Sequence, residues 1–560
     1  MKSLYIDIMD KVVNAYTPEH IRRYTDSVIK NGLEEHGFPR LTANLGILIA
    51  HGRKSEYKET FVEMMNLCCK EIPVAHAKNG DRVGNDFSVK EIVCCIMELE
   101  KARTFEKSMT DGWRNCLSEI IPTQTYTKIA PCPPAPVNNW AAFGAVSEQL
   151  RKFAGIGDES FFIENQIASQ MFSFDENGMY RDPHEPIVYD MVTRLQLAAA
   201  LYFGYSGEHA EELEENFLKS AELTLKMQSV TGEIPFGGRS NQFLHNEAFY
   251  AALCEFYAWF FKKRGDMKKA GQFRRSARLA AESILPWLEM PSMPHIKNAY
   301  ATDSMCGCEC YAYYDKYMVT AASWIYLSYA MCDESIPEET CPMENENYIL
   351  ETSEHFHKVF LKFNDYFAEF DTFADLKYDA SGLGRIQKRG ASPVICMSVP
   401  CPPDGANYET DIKNPSPFAI CGGIKTENGF VYGYDNDTKY TLTQKELTKT
   451  YAKVAFLCET KDGKAFTQTC TLSDNGVEIK VEGDGDVSIL FPLFDFDGKD
   501  STTKEISTYS ACVTHKGSTC TYSTDAPITN TGMIFANRNG HYKAMSVSAK
   551  NEVILKVTVK

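Results

Sequence analysis

At 560 residues the chain exceeds what one ordinary hydrophobic core holds, so two or three domains are expected. Hydrophobic content of 44% and charged content of 24% are those of a soluble globular protein, with aromatics at 12%. A formal net charge of −17 argues against nucleic acid and anionic membranes as partners, and an anionic glycan would be repelled unless local arginines reversed the field.

The opening stretch MKSLYIDIMDKVVNAY carries Asp7 and Asp10 and no continuous apolar run, so it does not read as a secretory leader. No stretch approaches the length of a membrane span. An odd count of nineteen cysteines without an export signal then reads as reduced thiols and a cytoplasmic address. Cys68, Cys69, Cys94, Cys95 and Cys254 lie on apolar helix faces, where cysteine acts as a small hydrophobe.

Up to about residue 350 apolar residues recur at three- and four-residue intervals, as in SVKEIVCCIMELEKA, YDMVTRLQLAAALYFGY and HNEAFYAALCEFYAWFFKKRG. Several segments are apolar nearly all round, as expected of inner helices packed on both sides. About a dozen helices joined by short turns fit one (α/α)6-type toroid over residues 1–355. The Pro-rich stretch 120–140 is read as a loop upon it. After about residue 360 the period changes to apolar–polar alternation punctuated by Asp-Gly and Asn-Gly turns, which predicts an antiparallel β-sandwich over 360–560. The fold class is α+β, helical toroid first.

Polar residues gather in three places. NGMYRDPHEPIVYDMVTRLQ holds Tyr180, Arg181, Asp182, His184, Tyr189, Asp190 and Arg194, with a helix expected to start near Ile187 and Asp190 and Arg194 on one face. GEIPFGGRSNQFLHNEAF holds Glu233, Arg239, Ser240, Asn241, His245, Asn246 and Glu247. Its paired glycines permit close backbone approach, and Ser240 or Asn241 is the expected helix cap. Asn241 and His245 are expected one turn apart, whereas His245, Asn246 and Glu247 cannot all face one way. The third, CGCECYAYYDKY, spaces Cys306, Cys308 and Cys310 poorly for zinc, so no metal is expected, and Tyr311, Tyr313, Tyr314 and Tyr317 read as a cleft wall. No nucleotide-binding, hydrolase-elbow or zincin motif occurs, and no cofactor is expected.

Arginine beside asparagine, histidine, tyrosine and carboxylates suits a sugar that carries its own carboxylate. Hydrolysis would need two carboxyl groups, for which Glu247, Asp190, Glu233 and Asp182 are candidates. β-Elimination would need the uronate neutralised, by Arg239 and Asn246, and a base such as His245 or a tyrosine. Composition does not choose between them.

A helical half followed by a β-sandwich resembles the (α/α) toroid enzymes of uronate polysaccharides, such as heparinase II/III-type and alginate lyases. The segments FFIENQIASQMFSFDENGMYRDPHEPIVYDMVTRLQLAAALYFGYSG and SVTGEIPFGGRSNQFLHNEA resemble glycoside hydrolase family 154, with the similarity strongest over 138–330. That resemblance implies an exo-acting β-glucuronidase releasing terminal glucuronate from oligosaccharides. On this reading Arg239 and Arg194 bind the substrate carboxylate and Glu247 and Asp190 form the carboxylate pair. His245 and Tyr189 orient substrate or exchange protons. Asn241, Asn246, Asp182, Glu233 and Tyr311 complete the binding set. The rivals are a uronate lyase on the same scaffold and a glycan-binding protein without catalysis. The partner is a uronate-containing oligosaccharide, and the β domain could also support a homo-oligomer.

Overall fold

The computed structural model describes residues 1–80, 84–184 and 186–560. Its helical half is a double ring. Six helices, Gly37–Ala50, Val89–Ala102, Trp140–Phe153, Ile187–Tyr202, Leu244–Lys263 and Tyr314–Met331, each pack on the next, and the last packs back on the first. Outer helices, among them Lys2–Val13, Lys58–Glu71, Lys107–Ser118, Ser160–Met171, Ala210–Met227 and Met267–Leu288, alternate with them along the chain. The (α/α)6 layout expected from periodicity is therefore present.

Burial explains which helices lie inside. In Leu244–Lys263 every residue from Leu244 to Ala258 is buried, so the helix needs apolar residues on all sides. Met267–Leu288 instead keeps Lys268, Lys269 and Glu282 toward solvent, and Asp266 caps it by accepting the Lys269 N–H at 2.9 Å. The stretch 120–140 is a loop between Lys107–Ser118 and Trp140–Phe153, carrying one short helix, Pro122–Thr125.

The β half contains two antiparallel sheets. The smaller runs in chain order through Tyr348–Glu351, Lys358–Phe363, Tyr366–Asp371 and Gly382–Lys388. The larger is built around Gly476–Phe496 and Gly540–Val559, which pair from Val477↔Val557 to Phe496↔His541. Inward residues of both sheets share one core, including Leu361, Phe370, Phe456, Ile479, Phe491 and Leu555, which makes the pair a sandwich. The first strand starts at Tyr348, so the boundary read at 355–360 cuts through the small sheet. Four residues are too few for the alternating pattern to show.

Candidate active site

All six inner helices present their N-terminal ends at one mouth. A cleft of about 380 Å³ there is lined by His36 and Arg40, by Phe87, by Asn138, Asn139, Trp140 and Phe143, and by Val188, Tyr189 and Val192. Arg239, Ser240, His245, Asn246 and Phe249 form the next wall, and Tyr311, Lys316, Tyr317, Thr320 and Trp324 close it. Each group belongs to the first turns of an inner helix or to the loop entering it. Every such terminus carries unpaired N–H groups and about half a positive charge, so the ring focuses a positive potential on the cleft. Arg40, Arg239 and Lys316 turn cationic groups to the cleft, Arg40 backed by Glu91 at 3.1 Å and Arg239 by Asp182, and among the described residues no Asp or Glu lines the cleft itself. The cleft surface is thus lined by cations and no anion, in a chain whose formal charge is −17.

The glycine–arginine loop reaches this mouth because it is held on both sides. Gly238 has φ +79°, and a Cβ there would lie 2.5 Å from Pro186 Cβ, so only glycine fits. Arg239 ion-pairs with Asp182, donates to the Pro183 carbonyl at 2.9 Å, and lies 4.1 Å over the Tyr189 ring. Ser240 Oγ stands 3.1 Å from both the Tyr189 and the Tyr311 hydroxyls.

His245 lies in the first turn of its helix, stacked on Phe243 with ring centroids 5.3 Å apart and edge-on to Tyr317. Burial, aided by repulsion from Arg40, lowers its pKa to about 3, so the imidazole is neutral, and its buried Nδ1 has no hydrogen-bond partner. Burial pushes the phenols of Tyr311 and Tyr317 well up, so both keep their protons. Burial also lowers Lys316.

Several expected site residues lie elsewhere. Asp190 and Arg194 form a fully buried pair, Nε to Oδ1 2.7 Å and Nη2 to Oδ2 2.6 Å, instead of facing the mouth. Arg194 also donates to Thr224 and Tyr257, and Asp190 accepts the Tyr180 N–H, so both are consumed inside the ring. Glu247 turns away from the cleft to meet Lys297 Nζ at 2.6 Å, and Glu233 meets the same ammonium at 2.8 Å. Burial and the neighbouring Glu233 raise Glu247, whereas Lys297 and Arg385 outweigh burial at Glu233 and hold it low. Glu233 instead borders a separate hollow of about 540 Å³ at the domain junction, between Trp287 and His515. That hollow gathers no comparable set of helix ends.

Asn241 is not on the helix at all. The helix starts at Leu244, and the Asn241 amide donates to the Pro235 carbonyl at 3.2 Å. The expected cap by Ser240 or Asn241 is supplied by Asn246, which accepts the Phe243 N–H at 2.8 Å and donates to the Ser240 carbonyl at 3.0 Å. Asp182 stands behind Arg239 rather than on the cleft wall, with burial raising its pKa against the arginine. Of the expected set, Tyr189, Arg239, His245, Asn246 and Tyr311 come together in the cleft. Tyr314 and Asp315 turn outward to Met293 and His20. Among the described residues no group of three His, Cys, Asp or Glu could hold a metal ion, and Cys308 Sγ lies 3.4 Å from His295 Nε2.

Sequence reasoning missed Arg40, Lys316 and the aromatic floor of Phe87, Trp140, Phe143 and Trp324. The one charged residue in the mainly apolar GFPRLTANLGILIA was the available signal.

No family model matches the chain, and no curated protein matches it in sequence. Among solved structures it is similar to the heparan sulfate lyase HepC from Pedobacter heparinus, with TM-score 0.44 and 9% identity over 93% of this chain and 75% of that one. It is also similar to heparinase III, with TM-score 0.37 and 10% identity over 85% and 77%. The baculovirus envelope protein ODV-E66, a chondroitin lyase, gives TM-score 0.20 and 10% identity over 75% and 76%. Scores below 0.5 leave both fold and chemistry to be read from the chain itself. No helix among the described residues is long and apolar enough to cross a membrane.

Proposed function

We propose that the chain is a uronate-specific polysaccharide or oligosaccharide lyase, acting by β-elimination in the toroid cleft. The observation that carries this reading is the cleft's composition: a positive field, a neutral histidine and protonated tyrosines, with no lining carboxylate among the described residues. Hydrolysis needs a carboxyl pair flanking the bond, and Glu247 and Asp190 are both spent in buried ion pairs.

Elimination uses what is present. Arg239 and the remaining Asn246 N–H neutralise the uronate carboxylate, which acidifies its C5–H. A substrate carboxylate beside His245 offsets burial and the Arg40 charge, and so raises the basicity of the imidazole when substrate is bound. His245 then takes the C5 proton, and the C–H electron pair forms the C4–C5 double bond. The C4–O bond breaks, and its oxygen takes a proton from a cleft tyrosine, Tyr189, Tyr311 or Tyr317. The floor of Phe87, Trp140 and Trp324 offers stacking faces for neighbouring sugars. Nineteen unpaired cysteines support work in a reducing compartment.

A second reading, the exo-β-glucuronidase suggested by the family 154 resemblance, draws on Asp182, whose raised carboxyl beside Arg239 could serve as an acid. One assay separates the two. The protein is incubated with an oligosaccharide containing an internal uronate glycosylated at O4, the bond a lyase breaks, and separately with p-nitrophenyl β-glucuronide, which only a hydrolase cleaves. Products are followed by absorbance of the unsaturated uronate and by mass. Product masses that sum to the substrate, with new absorbance, are expected. A mass gain of one water without absorbance overturns the lyase reading in favour of hydrolysis.

A further inference from the structure

The residues that hold the glycine–arginine loop come largely from the β domain. Its Phe236 N–H is accepted by Glu369 at 3.1 Å, its Gly238 N–H by Asp379 at 3.4 Å, and its Ile234 carbonyl receives Arg385 at 2.7 Å. At the catalytic end a different device appears. The Ser240 N–H is accepted by Glu309 Oε1 at 2.6 Å, and Ser240 itself has φ +54°, a conformation a non-glycine residue keeps only when its surroundings enforce it. Glu309 is buried and is gripped in turn by Arg538, Nη2 to Oε1 at 2.6 Å and Nη1 to Oε2 at 3.0 Å. Arg538 also donates to the Gly307 carbonyl at 2.7 Å and lies 4.0 Å over the Tyr408 ring, so its guanidinium plane has a single orientation.

We propose that Arg538 and Glu309 are positioning residues for the cleft tyrosines: a β-domain guanidinium fixes a buried carboxylate, and the carboxylate fixes Ser240. The Ser240 hydroxyl, 3.1 Å from each of Tyr189 and Tyr311, then sets the direction in which those two phenols present their protons. Neither Arg538 nor Glu309 lines the cleft, so their hydrogen-bonded route to the tyrosines runs through Ser240, while the Glu309 charge also helps hold the Tyr311 and Tyr317 phenols protonated. The β domain is thereby part of the catalytic apparatus and not an appended module. This inference rests on the lyase reading above.

The test uses the full chain with R538K, R538M, E309Q and S240A. Misdirected proton donors slow chemistry more than binding, so R538M and E309Q are expected to lower kcat by about tenfold or more. KM for a uronate oligosaccharide should change by less than about threefold, because Arg239 and Asn246 remain in place. R538K should recover part of the loss, since an ammonium pairs with one carboxylate oxygen but not both. Should R538M not fold, S240A leaves the clamp intact and removes only the bridge, and it is expected to show the same kcat loss. Wild-type kcat in folded E309Q or S240A overturns the proposal. A second readout needs no turnover: the 13Cζ resonances of Tyr189 and Tyr311 should move in E309Q and R538K. Movement without any unsaturated product from the wild type would remove the lyase reading and keep the positioning role. Unsaturated product with neither resonance nor kcat altered would do the reverse.

Discussion

Two polar clusters start on consecutive residues of one helix and end in opposite conditions. His245 and Asn246 face the cleft, where His245 keeps a ring nitrogen without a partner. Glu247, the next residue, enters a ladder in which Lys297 joins it to Glu233, and Gln387 closes the far end at 2.6 Å. Both clusters are dense in chemistry-bearing side chains, and both are buried. They differ in what they turn toward open space: the ladder closes two carboxylates on one buried ammonium, whereas the cleft wall presents cations, a neutral base and phenols, with Glu91 and Asp182 meeting Arg40 and Arg239 only from behind. A site is marked by which groups it turns toward open space, not by how many it gathers.

The sharpest way to break this comparison is to remove one member from each side. His245→Gln should cost about 10²–10⁴-fold in turnover, the range of a lost general base, with the urea unfolding midpoint little changed. Lys297→Met should do the opposite. It strands two buried carboxylates and should destabilise the fold by about 3–5 kcal/mol in urea titrations. Adding Glu233→Gln and Glu247→Gln to that variant should restore most of the loss, because the uncompensated charge is what costs.

A smaller effect follows from the neutral state of His245. Its pKa is depressed from 6.5 to about 3, so the unfolded chain binds the extra proton first as pH falls. Its contribution is therefore complete above pH 6.5 and lost on acidification toward pH 3, at up to about 1.4 kcal/mol per unit. Comparing wild type with His245→Gln by denaturation across this window should show a shallower acid loss in the variant. Equal slopes would mean the folded chain protonates the imidazole as readily as the unfolded one. The smallest expected effect is that of Glu247→Gln on turnover, within about threefold or roughly 0.7 kcal/mol of barrier. If that variant fell as far as His245→Gln while remaining folded, the carboxylate would belong to the chemistry and hydrolysis would return.

Much of the architecture was legible because helix and strand periods are local. The inner helices announced themselves by being apolar all round, and the divergence of His245, Asn246 and Glu247 followed from 100° per residue. What was not legible depends on ring closure. Arg40 and Lys316 are separated by most of the toroid in sequence, and they meet only because the last inner helix packs on the first. Asp190 and Arg194 were assigned to the site from their shared helix face and the family resemblance. Their burial depends on Thr224 and Tyr257, which arrive from two other helices. Lys297 sits in an irregular loop where no periodicity reports it, yet it decides the fate of both glutamates.

The loop that carries Arg239 has a consequence for how the molecule comes into being. Its shape is enforced by Glu369, Asp379 and Arg385, and its last residue by a clamp ending at Arg538. During synthesis the six inner helices, the last ending at Met331, all precede these partners, Glu369, Asp379 and Arg385 closely and residue 538 by far, which follows the loop by some three hundred positions. A nascent chain that lacks the final strands thus lacks the clamp on Ser240, and the cleft is completed only as those strands pair. Activity should therefore appear only after the last strands are made, and a chain stalled within the β domain should be inactive.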